Sequence, residues 1–153
     1  MGTRLPPDFS AFLSLLDANG VDYLIVGGYA VGHHGYPRAT GDIDVWIRQS
    51  PQNAERVVAS IRAFGFDDPG LRPDRFLGDG RITRMGLPPN RIEVMTSVSG
   101  VTFDDAWPAR VVADWGGRAI PIIDLRHLRA NKAASGRPKD LADLVELPDP
   151  DDA

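Results

Sequence analysis

Two aspartates, Asp42 and Asp44, stand one residue apart in a segment that alternates acidic and apolar side chains. The apolar residues Ile43, Val45 and Ile47 predict a strand, and residues i and i+2 of a strand face the same way. Both carboxylates therefore project from one face, where a cation must offset their repulsion. A hard divalent metal such as Mg²⁺ binds one or two carboxylates and keeps places for water and phosphate oxygens. The alternative is the solvated face of an exposed strand.

A glycine pair precedes these aspartates. Residues 23–26 read YLIV and predict a short buried strand that ends at Gly27 and Gly28. Glycine allows positive φ and close backbone approach, and residues 28–34 can begin a helix. Free N–H groups at the start of such a helix suit a phosphate group. A phosphate cradle followed by two carboxylates suits a nucleoside triphosphate with Mg²⁺ or Mn²⁺.

This combination resembles the DNA polymerase beta-type nucleotidyltransferase superfamily. The matching residues, which resemble most the small bacterial members, are Gly27-Gly28-x-Ala30, His34-Gly35 and Arg38-x-Thr40-x-Asp42-Ile43-Asp44. Those members include abortive-infection toxins of the AbiEii type and minimal nucleotidyltransferases of toxin–antitoxin operons. The resemblance runs from about residue 21 to residue 145. It implies an α/β (α+β) fold, in which a mixed β-sheet carries helices on one face and the carboxylate site on the other.

A member of this superfamily should bring a third carboxylate on a neighbouring strand. The segment 91–96 offers Glu93, which period-two alternation turns away from the core. Glu93 stands where aspartate is more usual, and it would complete a two-metal site with Asp42 and Asp44. The alternative is an exposed glutamate paired with Arg91 or Arg84.

A second stretch of resemblance lies near the C-terminus. It consists of Lys132, Arg137, Lys139, Asp140 and Asp143. The resemblance implies that Lys132 reaches the triphosphate and that Asp140 positions Lys132 or the acceptor. The alternative for Asp140 is the favourable dipole of a helix N-terminus. Lys132 would then be an ordinary lysine in the last turn of a helix.

Four further polar residues lie near the predicted site. Arg38 and Thr40 occupy the polar turn before the carboxylates and are predicted to bind nucleotide. The guanidinium of Arg38 either grips a phosphate in two-pronged fashion or neutralises the aspartates. His33 and His34 have no partners at metal-ligand spacing, so we expect no metal there. Trp46 shares the carboxylate face if alternation persists, and we expect it to pack in the core.

The remaining pattern predicts helices and strands in alternation. Helices are expected over 8–19, 28–34 and 51–64, followed by two at the C-terminus. Strands are expected over 22–26, 42–47, 81–87, 91–96, 109–114 and 118–122. Gly116-Gly117 predicts a hairpin turn, and Gly136 separates the last two helices. The final helix would bury the apolar stripe of Leu141, Leu144 and Val145.

Composition predicts one domain over residues 1–147 and a frayed acidic tail over 148–153. A chain of 153 residues can bury an ordinary core, and no apolar run reaches the roughly 18 residues of a membrane span. The N-terminus shows no secretory signal, and the absence of cysteine fits a cytoplasmic protein. A net charge of −4 gives no global field that attracts nucleic acid.

The resemblance implies a Mg²⁺-dependent nucleotidyltransferase, which transfers a nucleoside monophosphate from a triphosphate to an acceptor hydroxyl. The acceptor is a tRNA, a protein or a small molecule such as an antibiotic, and residue types alone leave these three open. The protein would act within a toxin–antitoxin or phage-defence system. The competing hypothesis is a catalytically weak, antitoxin-like domain that binds a partner toxin.

Overall fold

Six strands form one mixed sheet in the computed structural model, which describes residues 5–152. Residues 1–4, at the start of the segment for which the sequence predicts no secretory signal, and residue 153 of the acidic tail lie outside the described residues. The order across the sheet is β3-β4-β2-β1-β6-β5. The strands are β1 Tyr23–Val26, β2 Ile43–Ile47, β3 Ile82–Met85, β4 Ile92–Met95, β5 Val111–Trp115 and β6 Arg118–Ile122. This arrangement confirms the predicted mixed sheet.

The centre of the sheet brings the two predicted site strands together. β2 pairs with β1 in antiparallel fashion and with β4 in parallel fashion. β1 also pairs with β6 in parallel, while β3 and β5 form the two edges through antiparallel pairs. Strands β1 and β2 are buried almost throughout, since β1 is continuously apolar and Asp44 is the one charged residue of β2. Asp44 therefore lies on a central strand that pairs with a neighbouring strand on each side, and Asp42 directly precedes this strand.

Six α-helices lie within residues 5–152, and all of them except a single turn over residues 103–106 lie where the sequence predicts helices. They are α1 Pro7–Ala18, α2 Gly27–His33, α3 Pro51–Phe64, α4 Phe103–Ala106, α5 Leu125–Ser135 and α6 Pro138–Glu146. Helix α1 packs on α3, where Phe12 and Phe64 meet edge to face at 5.3 Å. Helix α3 starts at the Ser50 side chain, which accepts a hydrogen bond from the Asn53 N–H, and ends at a left-handed Gly65.

The C-terminal half confirms two glycine predictions. Gly116 and Gly117 have positive φ in the two-residue turn between β5 and β6, which suits the twist of a hairpin. Gly136 is left-handed directly after α5, and Pro138 begins α6. Helices α5 and α6 therefore form a tight pair.

The predicted apolar stripe of α6 is wrong. Leu141 is 46% exposed and Val145 is 82% exposed, whereas the buried side chains of this helix are Asp140 and Asp143. Hydrophobic periodicity fails here because the buried Lys132 and the partly exposed Arg38 and Arg137 compensate the two carboxylates, which can then occupy the inner face. The core expectation for Trp46 is met, since its ring is 1% exposed and packs edge to face on Phe103.

The acidic tail carries a short 3-10 helix, Pro150–Asp152, where the sequence predicts fraying. Asp151 lies 2.8 Å from Arg126, but both side chains are mostly exposed, so the pair adds little stability. Within residues 5–152, no helix combines the length and the apolar character needed to cross a membrane.

Candidate active site

Asp44 lies between the two other features that the sequence predicts for the site. Its register partner on β1 is Val26, directly before Gly27, and its register partner on β4 is Glu93. The predicted glycine turn, carboxylate strand and third carboxylate therefore meet at one end of three adjacent strands. Glu93 faces Asp44, as the alternation of β4 predicts.

Asp44 is electrostatically unusual. Its pKa is raised to about 7, mainly by burial and also by the charge of Glu93, a hydrogen bond to Glu93 and the charge of Asp42. Lys132 acts in the opposite direction. Near neutral pH the Asp44 carboxyl is therefore partly protonated. A nearby cation would lower its pKa and favour the ionised form.

Arginines engage the two outer carboxylates. Arg91 donates to Asp42, with Nη2 3.1 Å from Oδ2, and Arg84 donates to Glu93, with Nε 3.0 Å from Oε1. The pairing of Glu93 with Arg84 is the alternative that the sequence left open. With the side chains so arranged, no three acidic or histidine side chains among residues 5–152 converge as ligands of one ion.

The donor set nevertheless fits a hard divalent ion. Asp44 and Glu93 bring half-buried carboxylates side by side, and Asp42 stands on the same strand face. Oxygen ligands of this kind are those that Mg²⁺ and Mn²⁺ prefer. Burial and the neighbouring carboxylates raise the pKa of Asp44 despite the opposing charge of Lys132, and a bound cation would favour its ionised form.

The glycine turn leaves no room for side chains. Gly27 has φ +69°, and a Cβ there would collide with the carboxylate of Asp44. A Cβ on Gly28 would lie 2.8 Å from Oγ1 of Thr40. Thr40 Oγ1 also donates to the carbonyl of Asp42, at 3.3 Å. The backbone of the turn is thus exposed to the cleft because both residues lack a side chain.

A buried ion network forms the opposite wall. Lys132 is 4% exposed, and its Nζ lies 3.1 Å from Oδ1 of Asp140 and 3.1 Å from Oδ2 of Asp143. Asp140 also accepts hydrogen bonds from Ser135 and Arg137, each at 2.7 Å. Burial opposes the ionisation of Asp140, but hydrogen bonds from Arg137, Ser135 and Lys132 hold its pKa well below the usual value. An ammonium has three N–H groups, so Lys132 keeps one for the cleft that it lines.

The cleft between these walls has a volume of about 720 Å³, a size typical of small-molecule sites. It contains the predicted site residues Gly27, Gly28, Arg38, Thr40, Asp42, Asp44, Glu93, Lys132 and Asp140. The structure therefore brings together residues that are up to 113 positions apart, from Gly27 to Asp140 (140 − 27).

Comparison with solved structures identifies this architecture. The chain superimposes on a protein of Thermotoga maritima assigned as a nucleotidyltransferase, with a TM-score of 0.63 and 16% identity over 90% of this chain and 88% of that one. The chain has the nucleotidyltransferase fold. Similar solved structures include the lincosamide antibiotic adenylyltransferase LnuA bound to lincomycin, with a TM-score of 0.56 and 14% identity over 95% of this chain and 97% of LnuA. For ANT(2″)-Ia in complex with adenylyl-2″-tobramycin, the TM-score is 0.56 and the sequence identity is 14%, over 90% of this chain and 83% of ANT(2″)-Ia.

No protein-family model and no curated protein sequence matches the chain. The likeness of the solved structures therefore establishes the nucleotidyltransferase fold, and the chemistry must be argued from the site.

Sequence reasoning missed the partner of the Asp42 carboxylate. The pairing of Arg91 with Asp42 was not predicted, although Arg91 stands two residues before Glu93 and so shares its strand face. Arg137 and Lys139 also line the cleft of this nucleotidyltransferase fold. Their basic character was visible, but their position was not.

The two histidines play no part in the cleft. His34 Nε2 donates to the carbonyl of Ile123, at 2.7 Å, which ties α2 to the segment after β6. Burial lowers the pKa of the neighbouring His33, and His34 adds to this effect.

Gly28→Ala is expected to weaken triphosphate binding, because the new Cβ forces Thr40 out of its place beside the turn. Binding of ATP with Mg²⁺, measured by calorimetry below the melting temperature of each variant, tests this effect. The matched control is Gly32→Ala, since a Cβ at Gly32 meets no atom within 4 Å. That variant should bind normally and gain up to about 1 kcal/mol of stability from helix propensity. Equal affinity of the two variants would place phosphate binding away from this turn.

Proposed function

We propose that the protein is a metal-dependent nucleotidyltransferase. The observation that carries the proposal is the shared cleft, in which the Gly27 turn, the Asp42, Asp44 and Glu93 carboxylates and the ammonium of Lys132 meet on a nucleotidyltransferase fold. Few other reactions need a side-chain-free backbone, clustered carboxylates and a buried ammonium in one place.

Asp42, Asp44 and Glu93 are the residues that would hold Mg²⁺ or Mn²⁺. When bound, such an ion neutralises phosphate charge and lowers the pKa of the attacking hydroxyl. The backbone at Gly27 and Gly28 would bind phosphate oxygens. Lys132 would use its remaining N–H to offset the charge that develops on the departing pyrophosphate.

The reaction transfers a nucleoside monophosphate. The acceptor oxygen forms a bond to the α-phosphorus, the bond from that phosphorus to the bridging oxygen breaks, and pyrophosphate leaves with the electron pair. The hydroxyl proton passes to a carboxylate of the site or to water. Catalysis of this kind is mainly positioning and electrostatic stabilisation, which suits a small site without a covalent nucleophile.

The acceptor is proposed to be a small molecule. The support is that the chain covers 97% of LnuA, which was solved with lincomycin, and 83% of ANT(2″)-Ia, which was solved with an adenylylated tobramycin. A tRNA or a protein hydroxyl are the other acceptors that the sequence left open. A cytoplasmic setting, in which triphosphates are abundant, accords with this function.

The test is incubation of the protein with each of the four α-labelled triphosphates, Mg²⁺ or Mn²⁺, and three separate acceptor pools. The pools are total tRNA, cell protein and a panel of hydroxyl-bearing antibiotics. Label is expected in the antibiotic pool, and in none of the pools with Asp44→Asn. Label in tRNA or protein would keep the activity and change the acceptor. No label in any pool would overturn the proposal.

One observation favours the antitoxin-like alternative. Asp42 and Glu93 each engage an arginine, Arg91 and Arg84, and such pairs would suffice to neutralise carboxylates that never meet a metal. In that case the wild-type protein would transfer no nucleotide and would bind its partner toxin equally well with and without Mg²⁺.

A further inference from the structure

Asp143 holds two cations that come from different parts of the chain. Its Oδ1 accepts from Nε of Arg38 and its Oδ2 from Nη2 of Arg38, each at 2.8 Å. The same Oδ2 lies 3.1 Å from Nζ of Lys132. The side chain of Asp143 is 4% exposed, so this two-pronged contact is largely shielded from solvent. Paired ions in such surroundings hold a defined geometry.

Arg38 belongs to the loop of residues 35–42, which leads from α2 into the carboxylate strand. Three residues of that loop make side-chain hydrogen bonds: Arg38 joins the loop to Asp143 of α6, Asp42 accepts from Arg91 directly before β4, and Thr40 bonds within the loop. The loop carries Asp42, and Thr40 packs against Gly28. The position of this loop therefore determines where the Asp42 carboxylate lies relative to the glycine turn.

Lys132 also contacts the carboxylate of Asp143, through its Nζ. Three cations, Arg38, Lys132 and Arg137, surround the two carboxylates Asp140 and Asp143, which leaves a surplus of one positive charge (3 − 2). Burial opposes the ionisation of Asp143, but hydrogen bonds from Arg38 and Lys132 hold its pKa below the usual value. Asp143 thus stays charged and holds both neighbours at once.

We propose that Asp143 is a positioning residue that fixes the carboxylate-bearing loop and the ammonium of Lys132 relative to each other. Its two-pronged contact with Arg38, called the strap below, joins α6 to the loop. This inference rests on the proposed function and adds a role that the sequence pattern did not predict. Arg38 then acts on its carboxylate partner and leaves phosphate binding to the glycine turn, Lys132 and Arg137. A misplacement of about 1 Å at reacting groups can lower a rate by up to about 100-fold.

The kinetic arm compares Asp143→Asn, Arg38→Lys and the double variant. Each single change should lower kcat by roughly 10- to 100-fold and alter the KM of the triphosphate much less. The double variant should be no slower than the slower single variant, because both changes break one contact. Effects that multiply, or a KM rise confined to Arg38→Lys, would overturn the strap and make Arg38 a phosphate ligand.

Glu146→Gln is the matched control, because Glu146 is an exposed acid in the same helix. Arg38→Lys breaks the strap without removing a buried carboxylate, so it keeps the test decisive if Asp143→Asn folds poorly. Rates are measured below the melting temperature of every variant.

The second arm does not depend on turnover. Amide hydrogen exchange over residues 36–42 should accelerate in Asp143→Asn and Arg38→Lys, and should stay unchanged in Glu146→Gln. If wild type transfers no nucleotide but exchange accelerates, the proposed function fails while the strap stands. Unchanged exchange in both strap variants would overturn the inference itself.

Discussion

Replacing Asp44 with asparagine is expected to abolish nucleotide transfer and, above neutral pH, to make the metal-free protein more stable. Burial, together with the neighbouring carboxylates Glu93 and Asp42, raises the pKa of this carboxyl from 3.8 to about 7. The folded protein therefore binds a proton that the unfolded chain has lost, so the free energy of unfolding falls as pH rises from about 4 to about 7. Asparagine removes this cost while keeping the side-chain shape.

The measurement is the melting temperature in the presence of a chelator, at pH 5 and at pH 8. The gain from Asp44→Asn should be clearly smaller at pH 5 than at pH 8, because at pH 5 only the first part of the fall in stability between about pH 4 and about pH 7 has taken place. At pH 8 it should reach a few kcal/mol at most, or about 2–4 °C per kcal/mol for a chain of this size. The added stabilisation by Mg²⁺ with ATP should disappear in this variant.

Asp42→Asn provides the comparison. It should also abolish transfer, but it breaks the contact with Arg91 and offers no similar gain in stability. A gain from Asp44→Asn that is the same at both pH values, or a loss at pH 8, would show that the ionised carboxylate is well accommodated without a metal.

The sequence predicted the parts of this site that depend on local rules. Gly27, Gly28 and the spacing of Asp42 and Asp44 follow from turn chemistry and strand alternation, and the register of β1, β2 and β4 brings them together as expected. Glu93 reached its predicted neighbour for the same reason. These features can be predicted from the alternation of side chains along a strand and from which strands pair with each other.

The compensation of charge could not be predicted in the same way. The partners of Asp143 stand 105 and 11 positions away, at Arg38 and Lys132, and no periodicity links them. Because these cations neutralise it, α6 turns acidic side chains inward and leaves Leu141 and Val145 outside. Hydrophobic periodicity assumes that buried faces are apolar, so it fails where ion pairs occupy the core.

Lys132→Ala is expected to lower transfer and stability together, for separable reasons. Loss of one donor to charge that develops in the transition state typically costs about 10²- to 10³-fold in rate. Removal of the ammonium also leaves Asp140 and Asp143 buried with fewer partners, and breaking a buried ion pair costs about 3–5 kcal/mol. Binding of a triphosphate analogue with a methylene between the α and β phosphorus atoms should weaken much less than turnover.

A second substitution separates the two effects. Asp140→Asn in the Lys132→Ala background removes one uncompensated charge, so it should restore part of the melting temperature and none of the rate. Lys132→Arg should recover part of both, because a planar fork cannot replace a compact ammonium held between two carboxylates. Lys139→Ala, on the rim of the same cleft, should have a far smaller effect on the rate. If the double variant recovers turnover along with stability, Lys132 is a structural cation of the network, and the charge on the leaving pyrophosphate must be offset by Arg137 or Lys139.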